Sequence, residues 1–128
     1  MNKWVALLIS ALIFALFHYS NPGVNALASV NVFIAGLMLG VNYIYSRNLW
    51  FGIFLHFSWN FYQGPVLGYK VSGKSFYSLL QQDLSGNPIV TGGAFGIEGS
   101  VLAGILCMIT FTALALIYRK KFSGSVTS

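Results

Sequence analysis

Residues 49–62 read LWFGIFLHFSWNFY, a run of large apolar and aromatic residues interrupted by the polar side chains of His56 and Asn60. A helix brings residues four positions apart onto one face, because four residues are close to one helical turn. Polar groups are costly on a helix in lipid, and those found there usually serve a function. The run therefore predicts a membrane-embedded helix with one polar face.

The composition of the chain indicates that lipid surrounds much of it. Hydrophobic residues make up 56% of the 128 residues and charged residues only 7%, whereas about 25% of a soluble domain is charged. The net charge of +5 does not indicate a nucleic-acid surface, because three of the seven basic residues, at 119–121, directly follow an apolar run. Such a cluster is typical of the cytoplasmic end of a membrane helix.

Three further apolar runs lie at residues 4–17, 26–45 and 100–118. The sequence therefore predicts an all-α, polytopic membrane helical bundle of about four transmembrane helices. A long glycine-rich loop, residues 63–99, is expected between the last two. The run 4–17 is shorter than the roughly 20 residues of a full span. A signal peptide is the alternative for that run, but the polar segment before a small-residue cleavage site at 26–28 is long for one.

Several finer features fit this helical plan. The G-x-x-x-G pair of Gly36 and Gly40 lets another helix approach closely. We expect Asn31 and Asn42 to form hydrogen bonds between helices. Within the glycine-rich loop, residues 76–84 are expected to form a short amphipathic helix on the membrane surface.

Residues 1–121 are expected to form one membrane domain, and residues 122–128 a disordered tail. Lysine and arginine fall unevenly on the two ends of the predicted bundle. One end receives five, at positions 3, 47 and 119–121, and the other receives two, at positions 70 and 74. Because cytoplasmic loops are enriched in these residues, the pattern predicts an integral membrane protein with both termini in the cytoplasm.

Two other features are not expected to carry chemistry. Residues 68–75 match G-x-x-x-x-G-K-[ST], but a phosphate-binding loop works between a buried strand and a helix. Here the pattern follows a membrane helix and a Gly-Pro turn, so no nucleotide is expected. The single cysteine, Cys107, is interpreted as packing inside the last apolar run.

The histidines carry the functional hypothesis. His18 ends the first predicted helix, and with a rise of about 1.5 Å per residue it lies roughly 22 Å from Lys3 along that helix. Asn60 lies roughly 20 Å from Arg47 along the third helix by the same measure. If both basic residues mark one interface, then His18, His56 and Asn60 reach similar depths and can converge in one cavity.

Imidazoles and an amide in a water-excluded cavity have three obvious uses. They can hold a metal ion, orient a water molecule or stabilise an oxyanion. The alternative is that each histidine only hydrogen-bonds a backbone carbonyl or a neighbouring helix.

The order and context of these residues resemble a known family. FALFH at 14–18 is similar to the F-x-x-x-H motif, and HFSWN at 56–60 to the H-x-x-x-N motif, of the CPBP family of intramembrane proteases. This family comprises CAAX prenyl endopeptidases and bacteriocin-processing or immunity proteins. The turn at 21–23, the segment 46–50 and the loop 91–100 are also similar to bacterial members. The resemblance covers nearly the whole chain and implies a protein of the bacterial plasma membrane.

The resemblance implies peptide-bond hydrolysis within the membrane, with a glutamate as the general base. On this chain His18 would position the water or hold a metal, and His56 and Asn60 would bind the metal or stabilise the oxyanion. A zinc ion would be held by His18 and His56, although two histidines and an asparagine make a poor zinc site without carboxylates. The implied partners are membrane lipid and a membrane-embedded peptide or protein, with no nucleic acid and no nucleotide.

One family motif is missing from the 128 residues. Members carry Glu-Glu-x-x-x-Arg upstream of F-x-x-x-H, whereas only three residues precede the first apolar run here. We expect an N-terminally truncated member with little or no activity on its own. The only glutamate, Glu98, is interpreted as a loop or interface residue, because no second acid adjoins it. The alternative function is that of a catalytically inactive member acting as a bacteriocin-immunity or membrane interaction protein.

Overall fold

The computed structural model describes residues 2–123, where all regular structure is helical apart from one isolated bridge between Val71 and Lys74. The α-helices are α1, Lys3–His18; α2, Ala26–Ser46; α3, Trp50–Phe61; α4, Pro88–Thr91; and α5, Val101–Ser123. A π-helical turn, Tyr62–Val66, follows α3, and two 3-10 turns, Gly93–Phe95 and Ile97–Gly99, precede α5. The prediction of an all-α fold is confirmed. The predicted tail, residues 122–128, overlaps α5 at its first two positions and otherwise lies outside the described residues.

Two helical segments are long and apolar enough to cross a membrane, Ala26–Ser46 and Val101–Phe122, judged by length and composition. α1 is apolar but has only 16 residues, and α3 has 12, where a full span needs about 20. The predicted count of four spans is therefore not confirmed. α3 ends early because the π turn that follows it contains Pro65, which has no N–H to continue the α-helical hydrogen bonds.

Asparagine side chains begin the first two helices. Asn2 Oδ1 accepts from Trp4 N at 2.8 Å, and Asn25 Oδ1 accepts from Ala28 N at 2.9 Å. Each bond satisfies a backbone N–H that has no partner inside its helix. Between the two helices Gly23 adopts a φ of +73°, which glycine accepts without strain, and the chain reverses there.

α1 and α2 approach each other until their backbones almost touch. Ala11 of α1 is wholly buried, and a Cβ added to Gly36 of α2 would lie 2.9 Å from Ala11 Cα. A Cβ added to Gly40 would meet the side chain of Leu7. The glycine pair thus permits close helix packing, as predicted, and its partner is α1.

The chain directions place several helix ends together at one end of the bundle. Lys3 Nζ lies 5.3 Å from the ring centroid of Tyr45 near the end of α2, and Tyr118 of α5 stacks on that ring at 6.2 Å. Phe51 of α3 packs edge-on against Tyr118. Most of the lysine and arginine side chains lie at this end, and the side of the membrane that it faces remains a prediction.

Residues 67–100 fold over the opposite end of the bundle and form what we call the cap. Its anchor is Phe95, whose fully buried ring packs against Ala28 of α2. The cap also packs against the turn after α1, because a Cβ on Gly73 would overlap Pro22 O. Within the cap, Gly73 N donates to Phe95 O at 2.8 Å. The cap therefore closes the end of the bundle where α1 ends and α5 begins.

The prediction of an amphipathic helix over residues 76–84 is wrong, because this part of the cap is irregular. The backbone N–H groups of Leu79 and Leu80 donate to carbonyls of the π turn, at 2.9 and 3.1 Å. These bonds take the place of the i→i−4 bonds that a helix would need. The apolar side chains of the segment remain outside, with Tyr77 fully exposed and Leu79 83% exposed.

Residues 68–75 contain a two-residue turn. Ser72 and Gly73 have φ values of +48° and +82°, and Val71 and Lys74 exchange both backbone hydrogen bonds at 2.9 Å. Two consecutive positive φ values in a two-residue connection define a type I′ hairpin turn. The G-x-x-x-x-G-K-[ST] pattern thus lies in a tight hairpin followed by irregular backbone, without the strand and helix of a phosphate-binding loop.

Replacement of Phe95 by alanine is expected to lower the free energy of unfolding by about 3 to 5 kcal/mol, because the ring is fully buried. The measurement is a reversible unfolding titration in mixed detergent micelles. Phe57→Ala is the matched control, since Phe57 is 63% exposed on α3, and its effect should stay within about 0.5 kcal/mol. Equal losses in the two variants would contradict the role of Phe95 as the anchor of the cap.

Candidate functional site

A cavity of about 190 Å³ lies beneath the cap, between α1, α2, α3 and α5. Much of its wall is apolar and includes Leu39, Leu55 and Leu106. The polar groups in its wall come from all four helices and from the cap: His18, Asn31, His56, Trp59, Ser72, Glu98, Cys107 and Thr110.

The structure brings two of the three predicted site residues, His18 and His56, into the wall of this cavity. Asn60 does not line it, and its Nδ2 lies 3.2 Å from His56 Nε2. The Oδ1 atom of Asn60 is buried and has no hydrogen-bond partner among the described residues. Asn60 therefore reaches the cavity through His56.

His18 is held in one tautomer by its own helix. Its Nδ1 lies 2.7 Å from Phe14 O, one turn earlier in α1. A carbonyl oxygen only accepts hydrogen bonds, so Nδ1 carries the ring proton in the neutral imidazole. The Nε2 atom is then left with a free lone pair, which can accept a proton or bind an electrophile.

Phe14 separates the two imidazoles. Its ring centroid lies 4.5 Å from that of His18 and 5.3 Å from that of His56, in an edge-on arrangement with the latter. The phenylalanine of the F-x-x-x-H pattern thus contacts both histidines and supplies the carbonyl that orients one of them.

The described residues do not supply a metal site at this geometry. No three histidine, cysteine, aspartate or glutamate side chains in this part of the chain lie close enough together to hold a metal ion. A structural or catalytic zinc ion needs at least three such ligands. We therefore derive no chemistry through zinc, and its use remains an untested prediction.

Glu98 is the functional candidate that sequence reasoning missed, because it was interpreted as a loop residue and the structure places it in the cavity wall. Its carboxylate accepts from Trp59 Nε1 at 3.1 Å and from Ser72 N and Oγ at 2.5 and 3.0 Å. The available signal was that the only glutamate of the chain sits just before a membrane helix. A carboxylate at such a position needs several donors.

The two asparagines of α2 were predicted to bond to other helices, and both instead donate to backbone carbonyls just before a helix begins. Asn31 Nδ2 donates to Glu98 O and to Ser100 O at 2.8 and 2.7 Å, at the start of α5. Asn42 Nδ2 donates to Asn48 O at 3.0 Å, just before α3. Asn31 thereby ties the segment that carries Glu98 to α2.

Comparison with known proteins gives one match. A family model described as "Type II CAAX prenyl endopeptidase Rce1-like" matches residues 1–62. The matched segment spans α1, α2 and α3 and contains His18, His56 and Asn60. No curated protein and no solved structure matches the chain.

The structure is an apolar helical bundle with two histidines in the wall of a capped cavity, which gives it an interior polar site. The family match makes this more specific. Over residues 1–62 the chain is similar to the type II CAAX prenyl endopeptidases, which agrees with the resemblance of its two histidine motifs to the CPBP family. Together with the two helices that are long and apolar enough to cross a membrane, this similarity indicates an integral membrane protein.

The tautomer of His18 can be tested directly. ¹⁵N-histidine NMR of the chain in micelles at alkaline pH is expected to show the ring proton on Nδ1, because Phe14 O can only accept. The spectrum of the His56→Gln variant contains a single histidine and assigns the signals. An Nε2–H tautomer of His18 would contradict the geometry.

Proposed function

We propose that the cavity is a hydrolytic site for peptide bonds within the membrane, as in the intramembrane endopeptidases of the family. The observation that supports this most is that His18 and His56, from different motifs and different helices, line the same cavity. The apolar wall suits a membrane-embedded peptide, and the imidazoles supply the polar chemistry.

Each histidine has a distinct proposed role. His18 Nε2, the nitrogen left free by the bond to Phe14, takes a proton from the attacking water and returns it to the leaving amine. His56, held at Nε2 by Asn60, directs a ring N–H toward the oxyanion of the tetrahedral intermediate. Asn60 orients His56 and does not itself touch the substrate.

In the family that the sequence resembles, a glutamate of the Glu-Glu-x-x-x-Arg element is the general base, and the 128 residues contain no such element. We therefore propose that the chain alone hydrolyses peptides slowly. A helix carrying that element, added to the same membrane, is expected to raise the rate by placing a carboxylate at the cavity.

For the setting of this activity we propose the plasma membrane of a bacterium, with both termini in the cytoplasm. The support is the cluster of basic residues at the end of the bundle opposite the cap, together with the positive-inside tendency of membrane proteins. Membrane lipid and a membrane-embedded peptide or protein are the proposed partners.

The test is hydrolysis of a fluorogenic transmembrane peptide by the full chain in lipid nanodiscs, with and without the added helix. His18→Ala and His56→Ala are each expected to lower the rate by about 100-fold or more, the usual contribution of an acid–base group. Thr112→Val is the matched control, because Thr112 is exposed on α5 and bonds only within its own helix. Its rate should equal that of the wild type.

Two outcomes would contradict the proposed hydrolytic function. One is the absence of cleavage under both conditions from folded protein. The other is cleavage that survives in both histidine variants. Either result would favour the alternative of an inactive family member with an immunity or interaction role.

A further inference from the structure

We propose, on the basis of the proposed hydrolytic function, that Glu98 is a positioning residue that holds His56 at the cavity. It would act through Trp59, which lies three residues after His56 on α3. The cap would then be a working part of the site as well as its cover.

α3 buries little of its surface, so hydrogen bonds to other parts of the chain contribute to holding His56 in place. None of the 12 residues of α3 is buried, and Phe54 and Phe57 are each at least 60% exposed. In lipid, exposed apolar side chains contribute little to helix association, and interhelical packing and hydrogen bonds take that role. The bond from Trp59 Nε1 to Glu98 Oε1 is such a tie, and it lies beside His56.

The other oxygen of the carboxylate is held by the cap. Ser72 supplies both its backbone N–H and its hydroxyl to Glu98 Oε2. It does so from a left-handed conformation, φ +48°, that a residue with a side chain adopts at some cost. Non-glycine residues kept in this region are often found at functional sites. The hairpin turn of residues 71–74 thus clamps the carboxylate on the side away from α3.

Glu98 is also fixed through its backbone. Its carbonyl accepts from Asn31 Nδ2 at 2.8 Å, and Asn31 is buried in α2. A continuous path of hydrogen bonds therefore runs from α2 through Glu98 to Trp59 on α3.

The carboxylate is assigned this role and not that of the general base. Three donors already occupy its two oxygens, and an ionised carboxylate offers about four acceptor positions. Hydrogen bonds that an ionised carboxylate accepts are stronger than those between two neutral groups. Such a group is suited to holding a neighbouring side chain in place.

The experiment uses the full chain in nanodiscs with ¹⁵N-labelled histidine and tryptophan. Glu98→Gln and Trp59→Phe are each expected to shift the ring signals of His56. Both should lower kcat by about 100-fold with KM within twofold, because a misplacement of about 1 Å can cost that much. The double variant should be no slower than the slower single variant, since both changes break one path.

Asp83→Asn is the control, because it removes the other acidic charge at an exposed position of the cap that does not line the cavity. It should leave the His56 signals and kcat unchanged. Trp59→Phe keeps an aromatic side chain and the charge of the site, so it decides the question if Glu98→Gln fails to fold.

Unchanged His56 signals in folded Trp59→Phe would overturn the positioning role. Full additivity of the two changes would overturn it as well. If the wild type cleaves no peptide with or without the added helix, the proposed hydrolytic function fails, while the His56 signals still test the positioning role independently.

Discussion

The backbone contact between Ala11 and Gly36 determines where the chemistry of this molecule can lie. Lipid tails are as apolar as the helices, so close van der Waals packing holds α1 to α2 where no hydrophobic force does. Ala11, Phe14 and His18 fall at positions i, i+3 and i+7, on one stripe of α1. The stripe that meets Gly36 therefore continues into the cavity wall, and a larger residue at Gly36 would carry His18 away together with α1.

The cap also supplies hydrogen-bond partners for backbone and side-chain polar groups, which are costly to leave unpaired near an apolar environment. Such groups must find partners within the protein. Asn31 takes up two carbonyls ahead of α5, and Gln63 Nε2 donates to Lys70 O at 2.6 Å. Phe95 adds the apolar contact that keeps these bonds together. The same short turns thus supply these hydrogen bonds and close the cavity, while the buried Gln63 Oε1 has no partner among the described residues.

The helices and the convergence of His18 and His56 could be predicted, because both rest on local periodicity and on the rise of a helix. Three features could not. Asn60 turned out to contact the cavity only through His56, since its exact side-chain direction depends on helix packing. The backbone of residues 76–84 forms hydrogen bonds with the π turn instead of the i→i−4 bonds of a helix. The spacing of apolar residues does not predict such tertiary contacts. The role of Glu98 depends on Ser72 and Trp59, which are 26 and 39 residues away in the chain.

The cavity begins at the capped end of the bundle, where His18 and Glu98 lie, and this has a consequence for material exchange. Each peptide bond that is hydrolysed consumes a water molecule and creates an ammonium and a carboxylate, neither of which hydrocarbon accepts readily. His18 is the last residue of α1, at the end of the bundle that the cap covers. Short turns rich in glycine can separate more easily than packed helices. In a reaction at this end of the bundle, water would enter and the charged products would leave by the same path, through the cap.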